Sequence, residues 1–271
     1  MTATPQVPSR SLAVARLAGL AILTLPLMPV QAALLRVHTG WARRFPHWYH
    51  RTVCRVLGIR LDVTGEIVTG RPVLVISNHV SWLDIPILSA VAPVSFVAKK
   101  EIARWPLAGT LARLQRTIFV DRERRTSVGV TADEILTRLS SGDAIVLFAE
   151  GTSSDGNRIL PFKTSLFAAA KPTATPNCAQ PGSLDVLVQP MAIAYTRRSG
   201  IPLGWAGRRA IGYIGDVDIG PNAWDILTGG PLAITINIGA PVPLDAYADR
   251  KDLARRAEAD VRTLFAKSLR G

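Results

Sequence analysis

The stretch Pro72-Val73-Leu74-Val75-Ile76-Ser77-Asn78-His79-Val80-Ser81-Trp82-Leu83-Asp84 sets the reading of the whole chain. Its first half, Val73 to Ser77, is an apolar run closed by a serine, the pattern of a strand covered on both faces. Its second half puts a histidine and a carboxylate just past the strand. An imidazole titrates nearest neutrality of all side chains, so it can take a proton from a hydroxyl at working pH. A carboxylate beside it can fix the tautomer and stabilise the imidazolium. On one continuous α-helix two residues five apart point roughly 140° away from each other, so the pair can meet only if His79 lies outside the helix. Ser81-Trp82-Leu83-Asp84 fits a capping box with Ser81 at N-cap and Asp84 at N3, which puts His79 in the preceding turn. The competing reading is that Asp84 only caps the helix and His79 is a turn residue.

Outward from this segment the chain alternates between strand and helix. Arg60 to Gly65, Val94 to Ala98, Thr117 to Val120 and Ala144 to Ala149 read as strands, and Thr126 to Leu139 as an amphipathic helix stopped by Gly142. Further on, Leu184 to Tyr195, Ala210 to Ile214 and Leu232 to Ile238 read as strands. Lys251 to Leu269 is a helix whose stripe is Leu253, Val261, Leu264 and Phe265. This order predicts an α/β fold, a mostly parallel mixed sheet flanked by helices. Functional groups then gather past the strand ends, where His79, Arg122, Glu150 and Pro190 are expected to fall. Lys171 to Gly182, rich in Pro, Thr and Ala, reads as a surface loop, and Trp205 and Trp224 as core residues in preference to the lining of an acyl tunnel.

The 271 residues suffice for one large domain with a short appendage. The chain is 48% hydrophobic without the several long spans of a polytopic membrane protein. A net charge of +12 suggests anionic partners: nucleic acid, lipid headgroups or an acidic carrier. No nucleic-acid-binding segment is recognisable, and the cations are spread along the chain. Cys54 and Cys178 are the two cysteines, too few for a disulfide framework or a zinc site, and a reducing setting fits them.

Leu17 to Leu35 is uncharged and close to the ~20 residues that cross a bilayer. Pro26 and Pro29 interrupt it. It reads first as a transmembrane or re-entrant anchor. A signal peptide ending at Val30-Gln31-Ala32 and a buried helix are the alternatives. Trp41 to Arg51 then interleaves aromatics with cations, as at a headgroup boundary. Together these segments predict an N-terminal two-helix membrane motif over residues 1–58, followed by a catalytic domain over 59–271. His38, His47 and His50 lack a carboxylate or cysteine beside them and are not expected to bind metal.

Four blocks in order make a resemblance visible. Asn78 to Asp84 looks like the His-x-x-x-x-Asp motif of the glycerolipid acyltransferase family, which includes 1-acyl-glycerol-3-phosphate acyltransferases. Ile118-Phe119-Val120-Asp121-Arg122 resembles the second block. Phe148-Ala149-Glu150-Gly151-Thr152, with Pro161-Phe162-Lys163 downstream, resembles the third, and Gln189-Pro190-Met191 the fourth. The match runs over about residues 60 to 240. It implies transfer of an acyl group from acyl-acyl carrier protein or acyl-CoA to the hydroxyl of a lysolipid acceptor. His79 would be the base and Asp84 its orienting acid. Arg122, Glu150, Gly151, Thr152, Ser153, Lys163 and Pro190 would bind or shape the substrates, with backbone N–H groups near Gly151 facing a phosphate or an oxyanion. No metal or organic cofactor is implied, and no nucleic acid. The expected location is the cell inner membrane, catalytic domain on the cytoplasmic face. Lys99-Lys100 and Arg122-Glu123-Arg124-Arg125 suit either an acidic carrier or plain solvated surface.

The third block departs from the family's pattern. Phosphate-accepting members usually read Glu-Gly-Thr-Arg-Ser, whereas this chain has Ser153, followed by Asp155. Serine cannot copy the bidentate pairing of arginine with phosphate. The variant resembles a bacterial branch that acylates lyso-ornithine lipid, and that acceptor is favoured narrowly over lysophosphatidate, for which Arg158 or Lys163 would have to supply the missing charge. Outside this class, a serine-type lipid hydrolase would need Ser81, Ser153 or Ser154 as nucleophile, and no Gly-x-Ser-x-Gly elbow surrounds Ser81.

Overall fold

A computed structural model describes residues 8–37, 40–120, 127–169, 186–214 and 219–270. The described elements run α1 (Arg10–Arg36), α2 (Trp41–Leu57), β1 (Ile59–Thr64), β2 (Val73–Ser77), α3 (Asp84–Val91), β3 (Val94–Lys99), α4 (Ala108–Leu114), β4 (Ile118–Val120), α5 (Ser127–Ser140) and β5 (Ala144–Phe148). They continue with β6 (Leu187–Arg198), β7 (Ile201–Pro202), α6 (Trp205–Ile211), α7 (Ile219–Thr228), β8 (Leu232–Ile238), β9 (Val242–Pro243) and α8 (Arg250–Arg270).

The strands form one sheet in the order β1-β8-β6-β2-β5-β3-β4, with β7 and β9 pairing on β6. The block from β6 through β2, β5, β3 to β4 is parallel, and β8 runs antiparallel to β6. The sheet is therefore α/β, mostly parallel and mixed, as the alternation predicts. Every residue of β2 is buried because both faces are covered. Val73 and Val75 pack with α2 and α3, around Val53, Leu57, Ile87 and Leu88. Leu74 and Ile76 point the other way, towards Ile135 and Leu139 of α5 and Leu253, Val261 and Phe265 of α8.

α1 lies on the first of these layers and is tied to it at several points. Ser9 caps its N-terminus and donates its own N–H to the Thr228 carbonyl at the end of α7. The buried Arg16 donates to the carbonyls of Ile226, Leu227 and Gly229, which are left without helical partners where α7 ends. Gly58, at φ 72, closes α2, and a Cβ there would lie 2.9 Å from the Arg16 guanidinium. Further along, Thr24 meets the Tyr49 hydroxyl, and Gln31 donates to the carbonyls of Ala42 and Leu114. The helix continues through Pro26 and Pro29.

Three sequence expectations fail here. Ala210 to Ile214 is not a strand. α6 runs to Ile211 and Gly212 ends it, after which the Tyr213 N–H makes one bond to the Val80 carbonyl, not a ladder. Trp205 and Trp224 are not core, being 58% and 45% exposed. Pro190 is not past a strand end. It sits within β6 opposite Ile76, and period-2 alternation puts it with Val188 and Ala192 on the α8 side. Residues 171–182 and the 122–125 charge run lie outside the described residues.

Candidate active site

β2 delivers the segment from Asn78 to Asp84, and its end is pinned by a side chain acting as backbone. Asn78 donates from Nδ2 to the Ile193 carbonyl and accepts the Ile193 N–H at Oδ1. This amide pair extends the β2–β6 pairing beyond Ser77 and fixes where the next residue emerges. The chain then turns, and α3 begins at Asp84, not at Ser81. The capping box is half formed. Asp84 Oδ2 reaches back to the Ser81 N–H at 3.0 Å, but the Ser81 hydroxyl does not hold the Asp84 N–H, which instead binds the Ser81 carbonyl.

In this turn the His79 ring meets Asp84, with Nδ1 2.8 Å from Oδ2. The carboxylate is completely buried, while the histidine side chain keeps 23% of its exposure. Oδ2 also accepts the Val80 N–H at 2.6 Å, and Oδ1 accepts the Tyr195 hydroxyl at 2.7 Å. Asp84 is thus an acceptor of four bonds, which fixes its orientation. Holding Nδ1–H against the carboxylate leaves the lone pair on Nε2. The ring also stacks on Phe148, centroids 4.2 Å apart. Burial, and then the charge of Asp84, push the Tyr195 phenol well above its usual range, so it stays a donor.

Glu150 completes the frame. It is buried at the end of β5, and its two oxygens accept different backbone amides: His79 N–H at 2.7 Å and Leu160 N–H at 2.8 Å. The Ser154 N–H donates to the His79 carbonyl at 2.8 Å. The His79 turn is therefore clamped at its N–H and at its carbonyl by the 150–160 loop.

Comparison with known proteins bears on this geometry. A family model described as Acyltransferase matches residues 60–194. A lyso-ornithine lipid O-acyltransferase of Brucella abortus (strain 2308) is 46% identical, covering 94% of each chain. That identity decides the matter. The chain belongs to the acyltransferase family. A second relative, the lyso-ornithine lipid O-acyltransferase of Rhizobium meliloti (strain 1021), is 42% identical over 93% of this chain and 85% of its own length. A 1-acyl-sn-glycerol-3-phosphate acyltransferase of Neisseria gonorrhoeae is 31% identical over 76% of each. The crystal structure of the 1-acyl-sn-glycerophosphate acyltransferase PlsC from Thermotoga maritima superposes with a TM-score of 0.66, covering 95% of this chain and 94% of the other at 21% identity, a likeness of fold.

The remaining residues singled out in this acyltransferase sequence fall into place unevenly. Arg122 lies outside the described residues. Gly151 is buried at φ 70, and its N–H closes a turn onto the Phe148 carbonyl, so it does not face an open oxyanion position. Ser153 donates its hydroxyl to the Tyr213 carbonyl, tying the third block to the segment after α6. Thr152 is half-buried beside it, and the Lys163 side chain is exposed while its N–H pairs with the Ala149 carbonyl. Arg158 is exposed as well. Ser81 and Ser154 are buried, with their hydroxyls accepting the Leu83 and Gly156 N–H groups. These serines are engaged with backbone, and the described hydrogen bond of the His79 ring goes to Asp84. His47 and His50 hold Ser89 of α3 through its carbonyl and hydroxyl, and burial takes His50 down to about 4, so it stays neutral at pH 7. His38 lies outside the described residues.

Glu150 is a positioning group with a measurable pH signature. Burial raises its carboxyl from 4.5 to about 7, against the two amide bonds that pull it down. The folded state therefore holds the proton more tightly than the unfolded chain between those values. Stability from this group is full at the acid side and declines as pH rises towards 7, then is flat. Glu150→Gln removes this slope. Between pH 5 and 8 the wild type should lose up to about 3 kcal/mol relative to the variant in urea unfolding. Parallel curves for the two proteins would contradict this assignment.

Proposed function

We propose that this protein is a membrane-seated O-acyltransferase that moves a fatty acyl group from a thioester donor to the hydroxyl of lyso-ornithine lipid. One observation carries the chemistry: the partly exposed His79 imidazole braced at Nδ1 by the buried Asp84. In this reading His79 Nε2 takes the proton of the acceptor hydroxyl as its oxygen attacks the thioester carbonyl. The tetrahedral adduct collapses by breaking the C–S bond, and the imidazolium returns its proton to the leaving thiolate. The acceptor oxygen is the nucleophile, so no acyl-enzyme forms. Asp84 stabilises the imidazolium while it exists.

The acceptor reading rests on the third block. The position where phosphate-accepting members carry arginine is Ser153, and its hydroxyl is committed to the Tyr213 carbonyl. Asp155 follows, in a loop whose Gly156 packs on Val80 of the catalytic turn. A headgroup with an ammonium suits this carboxylate better than a phosphate dianion does. The names of the two relatives above 40% identity point the same way. Lysophosphatidate is the second candidate, favoured by the Neisseria relative.

α1 is long and apolar enough to cross a bilayer. We read it as lying along the surface instead. Arg16 and Ser9 near its start grip α7, while Gln31 near its end grips α2 and the end of α4. A helix crossing upright would draw parts of one packed domain through the hydrocarbon layer. Lying flat, it turns Val14, Leu17, Ile22 and Leu25, which fall within about 140° of one another around the helix, outward to the lipid. Residues 1–58 are then the membrane-seating unit, and 59–271 the catalytic domain on the cytoplasmic face of the inner membrane, where both thioester donors are made available.

The test offers membranes containing the protein a labelled acyl donor with lyso-ornithine lipid and lysophosphatidate side by side. Ornithine lipid should take label at least about tenfold faster, a difference of about 1.4 kcal/mol between transition states. Preferential labelling of phosphatidic acid would overturn the acceptor, and labelling of neither would overturn the transferase reading.

A further inference from the structure

Five of the six tryptophans are exposed: Trp41, Trp48, Trp105, Trp205 and Trp224. The sixth, Trp82, donates its ring N–H to Asn222. Indole is a large apolar body with one polar edge, and water is a poor place for five of them. Their positions are not scattered. Trp41 and Trp48 lie seven residues apart on α2, hence on one stripe, with Arg44, Arg51 and Arg55 on the stripe beside it. Trp105, Pro106 and Leu107 form a corner before α4, with Trp105 and Leu107 exposed. The end of that helix is held by Gln31 of α1. Trp224 lies on α7, whose last turn is held by Arg16 of α1. Trp205 opens α6, with the Arg209 guanidinium 5.3 Å over its ring. α2, α7 and α4, the last preceded by the Trp105 corner, thus pack on the helix that carries the outward apolar side chains, and α6 packs on α7. Trp paired with Arg is the composition of a bilayer headgroup layer, where the ring sits among glycerol groups and the cation among phosphates.

We propose that α6 and α7, together with the Trp105–Leu107 corner, form a second membrane seat on the catalytic domain, docked on an anionic bilayer surface and continuous with α1 and α2. The proposal rests on the membrane-seated reading of α1. It has a consequence for catalysis, because the second seat is bonded to the catalytic turn. Asn222 of α7 accepts the Trp82 N–H and donates to the carbonyls of Ala210 and Ile211, and the Tyr213 N–H donates to the Val80 carbonyl. Seating α6 and α7 holds the His79 turn at the lipid boundary, so an acceptor embedded by its single tail reaches the imidazole without leaving the leaflet. The seat matters for an acceptor presented in a bilayer and not for one dissolved as a monomer.

Two measurements on the full chain test this. The first uses vesicles of phosphatidylglycerol and phosphatidylethanolamine with bromine on the acyl chains, which quench nearby indoles. The difference in emission between wild type and Trp205→Phe/Trp224→Phe isolates those two rings. That difference should be quenched by the brominated vesicles. If it is unquenched while the remaining emission is quenched, the second seat does not exist. The second measurement compares acyl transfer by Trp205→Ala/Trp224→Ala. On acceptor embedded in the same vesicles the rate should fall roughly tenfold, the effect of losing partial burial of two large rings. On a short-chain acceptor below its micelle concentration the rate should match wild type, which also reports that the variant is folded. An unchanged rate on vesicles would sink the proposal. Absence of transfer by wild type to any acceptor would instead sink the proposed function, and the quenching would still decide the seat.

Discussion

His79→Ala is expected to lower kcat for acyl transfer by about 10³-fold or more, with KM for both substrates little changed. A positioned base supplies roughly 10²–10⁴-fold, and no other described side chain of the turn can take its place. Ser81 is buried with its hydroxyl turned to the Leu83 N–H, and the Asp84 carboxylate is wholly buried behind the ring. The cost to folding should be small. The ring is partly exposed, and what it loses is a bond to Asp84 and a stack on Phe148, together on the order of 1–2 kcal/mol. Single-turnover kinetics and a melting curve on the same preparation check both halves. A variant retaining more than a tenth of wild-type kcat would remove His79 from the chemistry.

Asp84 should show the largest effect on stability, and its two obvious variants should differ in kind. Asp84→Ala leaves the Val80 and Ser81 N–H groups, the Tyr195 hydroxyl and the His79 ring without their acceptor in a buried site. Each orphaned buried donor costs about 1–3 kcal/mol, so the folded state should lose about 4 kcal/mol or more and activity should vanish. Asp84→Asn is gentler. Two backbone N–H groups converge on the Oδ2 position, so the amide must turn its oxygen there and its NH₂ towards Tyr195, whose hydroxyl oxygen can accept. That orientation still receives Nδ1–H and keeps the tautomer. What is lost is the charge opposite the imidazolium, for which a drop of roughly 10- to 100-fold in kcat is expected. Urea unfolding and kcat for both variants are the readouts. An Asn variant as inactive as His79→Ala would show that the backbone amides do not fix the tautomer.

The reach of the sequence can be followed residue by residue. β2 was legible because four apolar residues in a row, Val73 to Ile76, have few alternatives at that length, and α8 because its stripe repeats at the helical period. The His79–Asp84 pairing was legible because both partners sit within one turn of chain. Ala210 to Ile214 misled because five residues of mixed apolar character satisfy strand and helix alike, and Gly212 decides only by ending the helix. Trp205 and Trp224 misled because indole in a sequence reads as core, whereas exposure depends on what packs over it. Pro190 misled because a motif position was taken for a strand end, and the strand in fact runs on to Arg198.

What the chain alone determined was everything whose cause is local: the alternation of elements, a histidine and an aspartate within one turn, the apolar character of residues 17–35, and the departure at Ser153. The tertiary structure decided the partners. Glu150 reaches the His79 amide across 71 residues and Tyr195 reaches Asp84 across 111. Arg16 of an apolar helix closes the end of another helix more than two hundred residues away. Nothing in the sequence around a buried donor names its acceptor, because a hydrogen bond is chosen by which surfaces the sheet and helices press together. The same holds for exposure, which belongs to the packed whole and to no single residue.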